Sequence, residues 1–117
     1  MNFRFPKSEK LKSKKTIELL FKEGKSVSKF PIKVFYLPME NFKKTQAGFA
    51  VPKRNFKNAV DRNRIKRQLR EAYRLQKHLL KSEDGSEFAL FFLYLGKDKL
   101  PYDFIDRGMR KLLEKIN

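Results

Sequence analysis

The sequence predicts an α+β fold, a two-layer α/β sandwich in which helices pack on a mixed sheet. Apolar residues recur with a helical period in three segments and alternate with the period of a strand in two others. A sixth segment is short and apolar on both faces, which is typical of a covered strand. In chain order the elements are αββαβα, with room for one extra short strand at residues 25–29.

The first predicted helix carries a start signal, an apolar stripe and a stop signal. Ser13 is suited to the N-cap, because its hydroxyl can accept a hydrogen bond from a free backbone N–H. Ile17, Leu20 and Phe21 share one side of the helix. Gly24 is the kind of residue at which helices end.

Two strands are predicted after this helix. Residues 31–38 are bounded by Pro31 and Pro38, which is typical of the ends of a strand. Its two faces differ, with Ile32, Val34 and Tyr36 on one and Lys33, Phe35 and Leu37 on the other. Residues 46–52 are expected to pair with it as the second strand of a hairpin.

The second half of the chain supplies a long helix, a strand and a last helix. Asn58 is the expected N-cap of a helix that runs to about Lys81. Residues 88–95 are apolar on both faces and are predicted to form a central strand covered on both sides. Pro101 opens the last helix. Its buried stripe is predicted to be Ile105, Met109, Leu112, Leu113 and Ile116.

Length and charge bound the class of protein. A chain of 117 residues suits one domain, residues 1–117, whose basic residues 1–12 are expected to be loosely ordered. The formal net charge is +16. Because so large a charge repels itself in a compact fold, a polyanionic partner is the natural explanation. Nucleic acid fits best, and an anionic membrane surface is the second choice.

Residue usage excludes several other classes. The chain has no cysteine, so it forms no disulfide and no cysteine-based metal site. Its longest apolar run, residues 88–95, is far too short to span a membrane. The start of the sequence has no apolar run of the kind that a signal peptide needs. We therefore expect a cytoplasmic protein with no membrane partner.

Residues 61–74 read DRNRIKRQLREAYR and concentrate positive charge on one face of the long helix. On a helical wheel with Ile65 as the reference, the core stripe lies within about 80°. It contains Leu69, Ala72, Tyr73, Gln76, Leu79 and Leu80. The polar and cationic residues gather between about 100° and 200°. They are Asn63, Lys66, Arg67, Arg70, Arg74 and Lys77, with Arg64 just beyond.

This cationic face is either an ordinary solvated surface or a surface for a polyanion. Solvated helix faces usually mix charges of both signs, but Glu71 is the only acid between Arg62 and Lys81. Cations near a helix N-terminus also oppose its dipole, at a cost of up to about 1 kcal/mol each. Bound phosphates would relieve both conflicts. The pattern therefore favours nucleic acid.

The same segment resembles a known family signature. Residues 58–74, NAVDRNRIKRQLREAYR, are similar to the hallmark of the bacterial ribonuclease P protein subunit, an Arg-Asn-Arg run followed by Ile-Lys-Arg and another Arg. Residues 9–28 resemble the first helix of that family and its exit, and residues 47–54 resemble the strand before the motif. The resemblance covers residues 9–95 in order, and the final helix fits by type.

The resemblance implies a protein cofactor rather than a catalyst. In that family an RNA subunit, with divalent metal ions, removes the 5′ leader of precursor tRNA. The implied partners are this catalytic RNA and precursor tRNA, with no obligatory protein partner. Mg²⁺ is implied for the RNA-containing holoenzyme, whereas no cofactor, metal or catalytic residue is implied for the protein alone. The family fold also implies a left-handed strand-helix-strand crossover.

Two sets of site residues carry over from the family by position. The implied RNA-binding residues are Lys53, Arg54, Arg62, Asn63, Arg64, Lys66, Arg67, Arg70 and Arg74. The implied leader-binding cleft contains Ile17, Phe21, Lys33 and Phe35. An aromatic ring beside a cation on one strand face suits a single strand of nucleic acid, but the alternative is that Phe21 and Phe35 are core residues.

The sequence departs from the family pattern in two places. Ile17 stands where the family often has an aromatic residue. The loop KRNFKNAV is one residue longer than usual, and Lys57 occupies the place of a glycine. The geometry of the loop before the long helix is therefore left open by the sequence.

Two other functions compete with this prediction. A nuclease in its own right would need clustered carboxylates or a nucleophile with a base. His78 is the only histidine, the predicted strands contain no acid, and acids such as Glu83, Asp84 and Asp98 lie in turns. A ribosomal or general RNA-binding protein without a role in tRNA processing would share the composition. Only the register of the Arg-Asn-Arg motif separates that alternative from the first prediction.

Overall fold

The structure, a computed structural model, describes residues 4–80 and 85–116. Within them the elements in chain order are α1 (Lys14–Glu23), β1 (Lys25–Lys29), β2 (Ile32–Met39), β3 (Gln46–Ala50), α2 (Ala59–Gln76), β4 (Glu87–Tyr94) and α3 (Tyr102–Lys115). Short 3₁₀ turns cover Lys7–Glu9 and Lys77–Leu79. The extra strand at residues 25–29 is therefore present as β1.

The four strands form one mixed sheet in the order β1-β2-β4-β3. β1 and β2 form a hairpin joined by Phe30 and Pro31, β2 runs antiparallel to β4, and β3 runs parallel to β4. The predicted hairpin between β2 and β3 is therefore wrong. β4 lies between them because a strand that is apolar on both faces is fully covered only inside a sheet. The polar strand β1 forms one edge of the sheet, and β3 forms the other.

β4 separates two hydrophobic cores. Phe88, Leu90, Phe92 and Tyr94 point into the main core, which α2 and α3 cover. Ala89 belongs to a smaller core on the other face, which is covered by α1. The prediction of a central strand covered on both sides is confirmed. All five predicted residues of the α3 stripe are buried in the main core: Ile105, Met109, Leu112, Leu113 and Ile116.

Both predicted N-caps are confirmed. The Ser13 hydroxyl accepts a hydrogen bond from the Thr16 backbone N–H at 3.3 Å, and the Asn58 side chain accepts one from Val60 at 2.9 Å. At the end of α1, a Cβ atom on Gly24 would collide with the Leu20 carbonyl oxygen. Glycine is therefore the residue that fits there, although its φ of −71° is not left-handed.

α2 ends at Gln76, earlier than the predicted end near Lys81. The Gln76 Nε2 donates to the Ala72 carbonyl at 3.3 Å and to Asp106 Oδ1 on α3 at 2.9 Å. These bonds tie the last turn to α3, and the chain tightens into a 3₁₀ turn. Lys81 itself lies outside the described residues, as does most of the turn expected at residues 82–86.

Residues 4–12 make defined contacts at the start of the described chain. Leu11 is buried in the smaller core, and its N–H donates to the Ala47 carbonyl at 3.0 Å. The Glu9 carboxylate, also buried, pairs with Lys77 at 2.7 Å. The predicted loose order of residues 1–12 concerns motion and stays a prediction. The contacts described here connect residues 9–11 to the sheet and to the end of α2.

The α+β class is confirmed by this mixed four-stranded sheet with three helices. α2 and α3 form the main helical layer, and α1 covers part of the opposite face. β3, α2 and β4 form a unit in which neighbouring strands are parallel, as the family resemblance implies. The left-handed sense of that unit stays a prediction. None of the helices described is both long and apolar enough to cross a membrane.

Candidate nucleic-acid interface

Four cations of α2, Arg64, Lys66, Arg67 and Arg70, form what we call the basic helix face. Arg64, Arg67 and Arg70 are exposed and Lys66 is partly buried, while the opposite side of α2 is buried in the main core. Asn63 is exposed beside them. Within residues 4–80 and 85–116, none of the four cations forms a side-chain hydrogen bond or an ion pair. The predicted division of α2 into a core side and a cationic side is confirmed.

Arg62 has a different position from the other arginines of the motif. Its Nη1 donates to the Phe56 carbonyl at 2.7 Å and to the Lys57 carbonyl at 2.9 Å. Both carbonyls belong to the loop before α2. Arg62 therefore holds this loop against the helix, and one side of its guanidinium is already occupied.

The predicted cationic face loses charge toward the end of α2. Arg74 forms a short ion pair with Glu71 one turn earlier. The hydrogen bond from Arg74 holds the pKa of the Glu71 carboxyl below its ordinary value. Lys77 is paired with Glu9. The cations of α2 that form neither a side-chain hydrogen bond nor an ion pair within the described residues thus lie at positions 64–70, and Arg74 is the least available of the predicted arginines.

Lys53 and Arg54 lie in the loop that connects β3 to α2. Both are exposed, and neither pairs with another residue of the described chain. The loop is fixed by Phe56, which is buried with its ring centroid 5.9 Å from that of Tyr94. The loop thus leaves its two cations at the surface near the start of α2.

A second surface lies on the other face of the sheet, and we call it the aromatic cleft. It contains Ile17 and Phe21 of α1, Lys33 and Phe35 of β2, and Phe91 of β4. The Phe21 and Phe35 rings meet edge to face with centroids 4.8 Å apart, and Phe21 meets Phe91 in the same way at 5.4 Å. The Lys33 Nζ lies over the Phe35 ring, 5.0 Å from its centroid. The structure therefore brings together all four residues predicted for the leader cleft.

Phe91 was not among the predicted site residues. It pairs directly with Phe35 in the β2–β4 ladder, so the two rings project from the same face. Gly48 on the neighbouring β3 leaves space for it, because a Cβ there would lie 3.0 Å from the Phe91 ring. Period-two alternation in residues 88–95 could have placed Phe91 on one face, but only the strand pairing shows that this is the face of Phe35.

The burial of Phe21 decides between the two interpretations of that residue. Phe21 is 51% exposed, whereas its neighbour Leu20 is fully buried. Phe21 is therefore a surface aromatic and not a core residue. Phe35, Phe91 and Ile17 are partly buried and pack against the smaller core. The cleft thus has a fixed floor and one ring that is open to solvent.

In the part of the chain that the structure describes, the acidic and imidazole side chains do not gather into a metal-binding group. Across residues 4–80 and 85–116, no three His, Asp or Glu side chains are arranged to hold a metal ion. His78 lies exposed on the 3₁₀ turn after α2. Glu83 and Asp84 lie outside the described residues. What the described surface offers to a ligand is cationic and aromatic contact.

Comparison with known proteins points to one family. A family model described as Ribonuclease P matches residues 5–117. A ribonuclease P protein component from Porphyromonas gingivalis is 37% identical over 120 residues, which cover 97% of this chain and 87% of the relative. One from Chlorobium phaeobacteroides is 42% identical over 125 residues, covering 94% and 86%.

Solved structures share the fold. The RNase P protein from Thermotoga maritima superposes with a TM-score of 0.78 at 23% identity, covering 93% of this chain and 98% of that one. The RNase P protein from Staphylococcus aureus gives a TM-score of 0.76 at 21% identity, covering 90% and 92%. At such low identity these similarities describe the fold alone.

Proposed function

Since this chain belongs to the ribonuclease P protein family, we propose that its basic helix face docks on the RNA subunit and that its aromatic cleft takes the 5′ leader of precursor tRNA. As a protein component of ribonuclease P, the chain is part of a ribonucleoprotein endoribonuclease and acts in tRNA processing. Its partner in that particle is the RNA of ribonuclease P. The further proposals concern which surface meets which RNA.

The uncompensated charge of residues 64–70 is the observation that carries the first proposal. Four cations share one face in the middle of α2, where they are three or four residues apart and repel one another. RNA phosphates placed there would neutralise the cations and remove this repulsion. The guanidinium groups can form forked contacts to phosphate oxygens, which suits three of the four residues. Lys53 and Arg54 extend this surface into the adjacent loop.

The arrangement of the aromatic cleft supports the second proposal. Single-stranded nucleic acid is bound where a basic groove runs beside aromatic side chains on which bases stack. The open Phe21 ring, the Phe35 floor and the Lys33 ammonium supply these parts within one cleft. A leader is single-stranded, so its bases are free to stack. The cleft lies on the face of the sheet opposite α2, so leader and RNA subunit need not compete for one surface.

The catalytic centre is proposed to lie in the RNA subunit, which requires Mg²⁺. Mg²⁺ prefers carboxylates and other oxygen ligands. Across residues 4–80 and 85–116 no group of three His, Asp or Glu side chains is arranged to hold a metal ion, which supports this proposal. No step of the reaction is assigned to a residue of this chain. The cytoplasm is proposed as the location, since a ribonucleoprotein of this kind works where its RNA is made.

Reconstitution from purified parts tests this function. The full chain, the RNA subunit and a precursor tRNA are combined with Mg²⁺, and the 5′ end of the tRNA product is mapped. We expect leader removal only when the RNA subunit is present, and none by the protein alone. Robust cleavage by RNA-free protein would overturn the proposal. Bulk ribosomal RNA co-purifying from cells, instead of one dominant structured RNA, would favour a general RNA-binding protein.

A further inference from the structure

The turn between β1 and β2 meets the outer side of α3 and forms a pocket of about 460 Å³, which we call the α3 pocket. It is lined by Lys29, Phe30, Phe104, Arg107, Gly108 and Lys111. The helix packs closely on the turn, because a Cβ on Gly108 would lie 3.4 Å from the Lys29 carbonyl oxygen. This pocket shares no residue with the basic helix face or with the aromatic cleft.

Two phenylalanine rings of this pocket are open to solvent. Phe30 is 64% exposed and Phe104 is 48% exposed. The Arg107 guanidinium lies over the Phe104 ring, 5.1 Å from its centroid. Its Nε also donates to the Asp103 carbonyl at 3.3 Å, which fixes the arginine beside the ring. The pocket thus presents flat apolar surface together with an oriented cation.

The charge around the two rings selects the kind of ligand. Lys29 and Lys111 are exposed, and within residues 4–80 and 85–116 neither pairs with another side chain. A second copy of this chain would bring another net charge of +16 against this surface and would be repelled. An unpaired nucleotide instead offers a flat base for the rings and a phosphate for the cations. Bases inside a duplex are already stacked on both sides, so their faces are not available.

A second cleft lies between the basic helix face and the start of α3, and its cation Lys99 pairs with Asp61 at 3.3 Å. Arg64 lines a cleft together with Lys99 and Pro101. Pro101 immediately precedes α3, and Phe104 lies in the first turn of that helix. The cleft that contains Arg64 and the α3 pocket thus adjoin the same end of α3.

We propose that the α3 pocket binds an unpaired nucleotide of the same RNA subunit that docks on the basic helix face. The base lies against Phe30 and Phe104, and its flanking phosphates contact Lys29 and Lys111. This inference rests on the proposed function, since it takes the RNA subunit as the ligand. It adds a site that binds an unpaired nucleotide of that RNA, whereas the basic helix face contacts the phosphate backbone.

Affinity for the purified RNA subunit tests this proposal with the full chain. Wild-type binding tests the proposed function itself, and the variants then test the α3 pocket. Loss of a stacked base lowers affinity about fivefold to a hundredfold. We expect Phe30→Leu/Phe104→Leu to show a loss in this range, with an unchanged dependence on salt. Lys29→Gln/Lys111→Gln should flatten the log-log salt slope by about 0.7 for each contact to a single strand.

Matched variants and a direct probe complete the experiment. Lys14→Gln/Lys15→Gln removes the same charge from exposed positions of α1 and should leave most of the affinity intact. Because the chain has no cysteine, Ser28→Cys on β1 can carry a single photo-cross-linker, which should react with an unpaired nucleotide. Wild-type affinity in both α3-pocket variants would overturn the proposal. A second result would also overturn the proposal: wild-type protein dimerises without RNA, whereas Phe30→Leu/Phe104→Leu is monomeric and binds the RNA subunit with unchanged affinity. The α3 pocket would then be a self-association surface.

Discussion

The Phe21 and Phe35 rings meet edge to face across the gap between α1 and β2, with their centroids 4.8 Å apart. Phe35 is held from below by the smaller core and carries the Lys33 ammonium above its ring. Phe21 is half exposed, and its ring also meets that of Phe91 at 5.4 Å. Phe35 is therefore the better supported of the two rings and Phe21 the more exposed, and both belong to the surface on which the leader proposal places the bases.

Replacing Phe35 should lower the affinity for precursor tRNA selectively. Phe35→Leu keeps an apolar side chain of similar size but removes the aromatic face. Since stacking is worth about 1–3 kcal/mol per base, affinity of the assembled enzyme for precursor tRNA should fall about fivefold to a hundredfold. Affinity for mature tRNA, which has no leader, should stay unchanged. Leu37→Ala, two residues along the same strand face, controls for a general loosening of this core. An equal loss for both tRNAs would place Phe35 outside the leader path.

Arg62 should contribute to stability in a way that its neighbour Arg64 does not. Arg62→Met removes two hydrogen bonds to loop carbonyls, one of them partly buried, at an expected cost of about 1–2 kcal/mol in the free energy of unfolding. Arg64→Met removes an exposed cation and should change it by less than about 0.5 kcal/mol. Urea unfolding of both variants measures the difference. Equal stabilities would show that Arg62 does not hold the loop.

Tyr73 should make the protein less stable at high pH. Burial in the main core, aided by the charges of Glu9 and Glu87, raises the pKa of the Tyr73 hydroxyl above its ordinary value. Because the folded pKa lies above the unfolded one, this contribution to stability is complete below a pH of about 10 and is lost as pH rises further. Tyr73→Phe should therefore lose less stability than wild type between pH of about 9 and 11. Tyr36→Phe is the matched control, and parallel curves for all three proteins would contradict this assignment.

Local signals in the sequence predicted the parts of the fold that depend on a few neighbouring residues. Ser13 and Asn58 cap their helices as expected, because capping is decided within three or four positions of the chain. The buried stripe of α3 was predictable because the helical period brings residues three or four positions apart onto one side of the helix. The order of the strands in the sheet, in contrast, does not depend on neighbouring residues alone. The pairing of β4 with both β2 and β3 depends on long-range competition for the centre of the sheet, so adjacent strands were wrongly paired.

In the candidate site, too, the sequence predicted only the features that depend on neighbouring residues. The wheel of α2 placed Lys66, Arg67 and Arg70 on one face with Arg64 just beyond it, since helical geometry fixes their directions. It could not show that Arg62 turns back to the preceding loop, because the path of that loop is not encoded in the period of the helix. Phe91 was missed because its position in the cleft depends on the register between two strands far apart in sequence.

Salt dependence of binding to the RNA subunit tests most directly whether the basic helix face is the docking surface. Each lost phosphate contact flattens the log-log salt slope by about 0.7–0.9, so Arg64→Gln/Arg67→Gln should flatten it by about 1.4–1.8 and weaken binding, with the fold intact by circular dichroism. Lys14→Gln/Lys15→Gln removes two exposed charges from α1 and should leave the slope close to that of wild type. A wild-type slope and affinity in Arg64→Gln/Arg67→Gln would contradict the proposal and leave these cations as a solvated helix face.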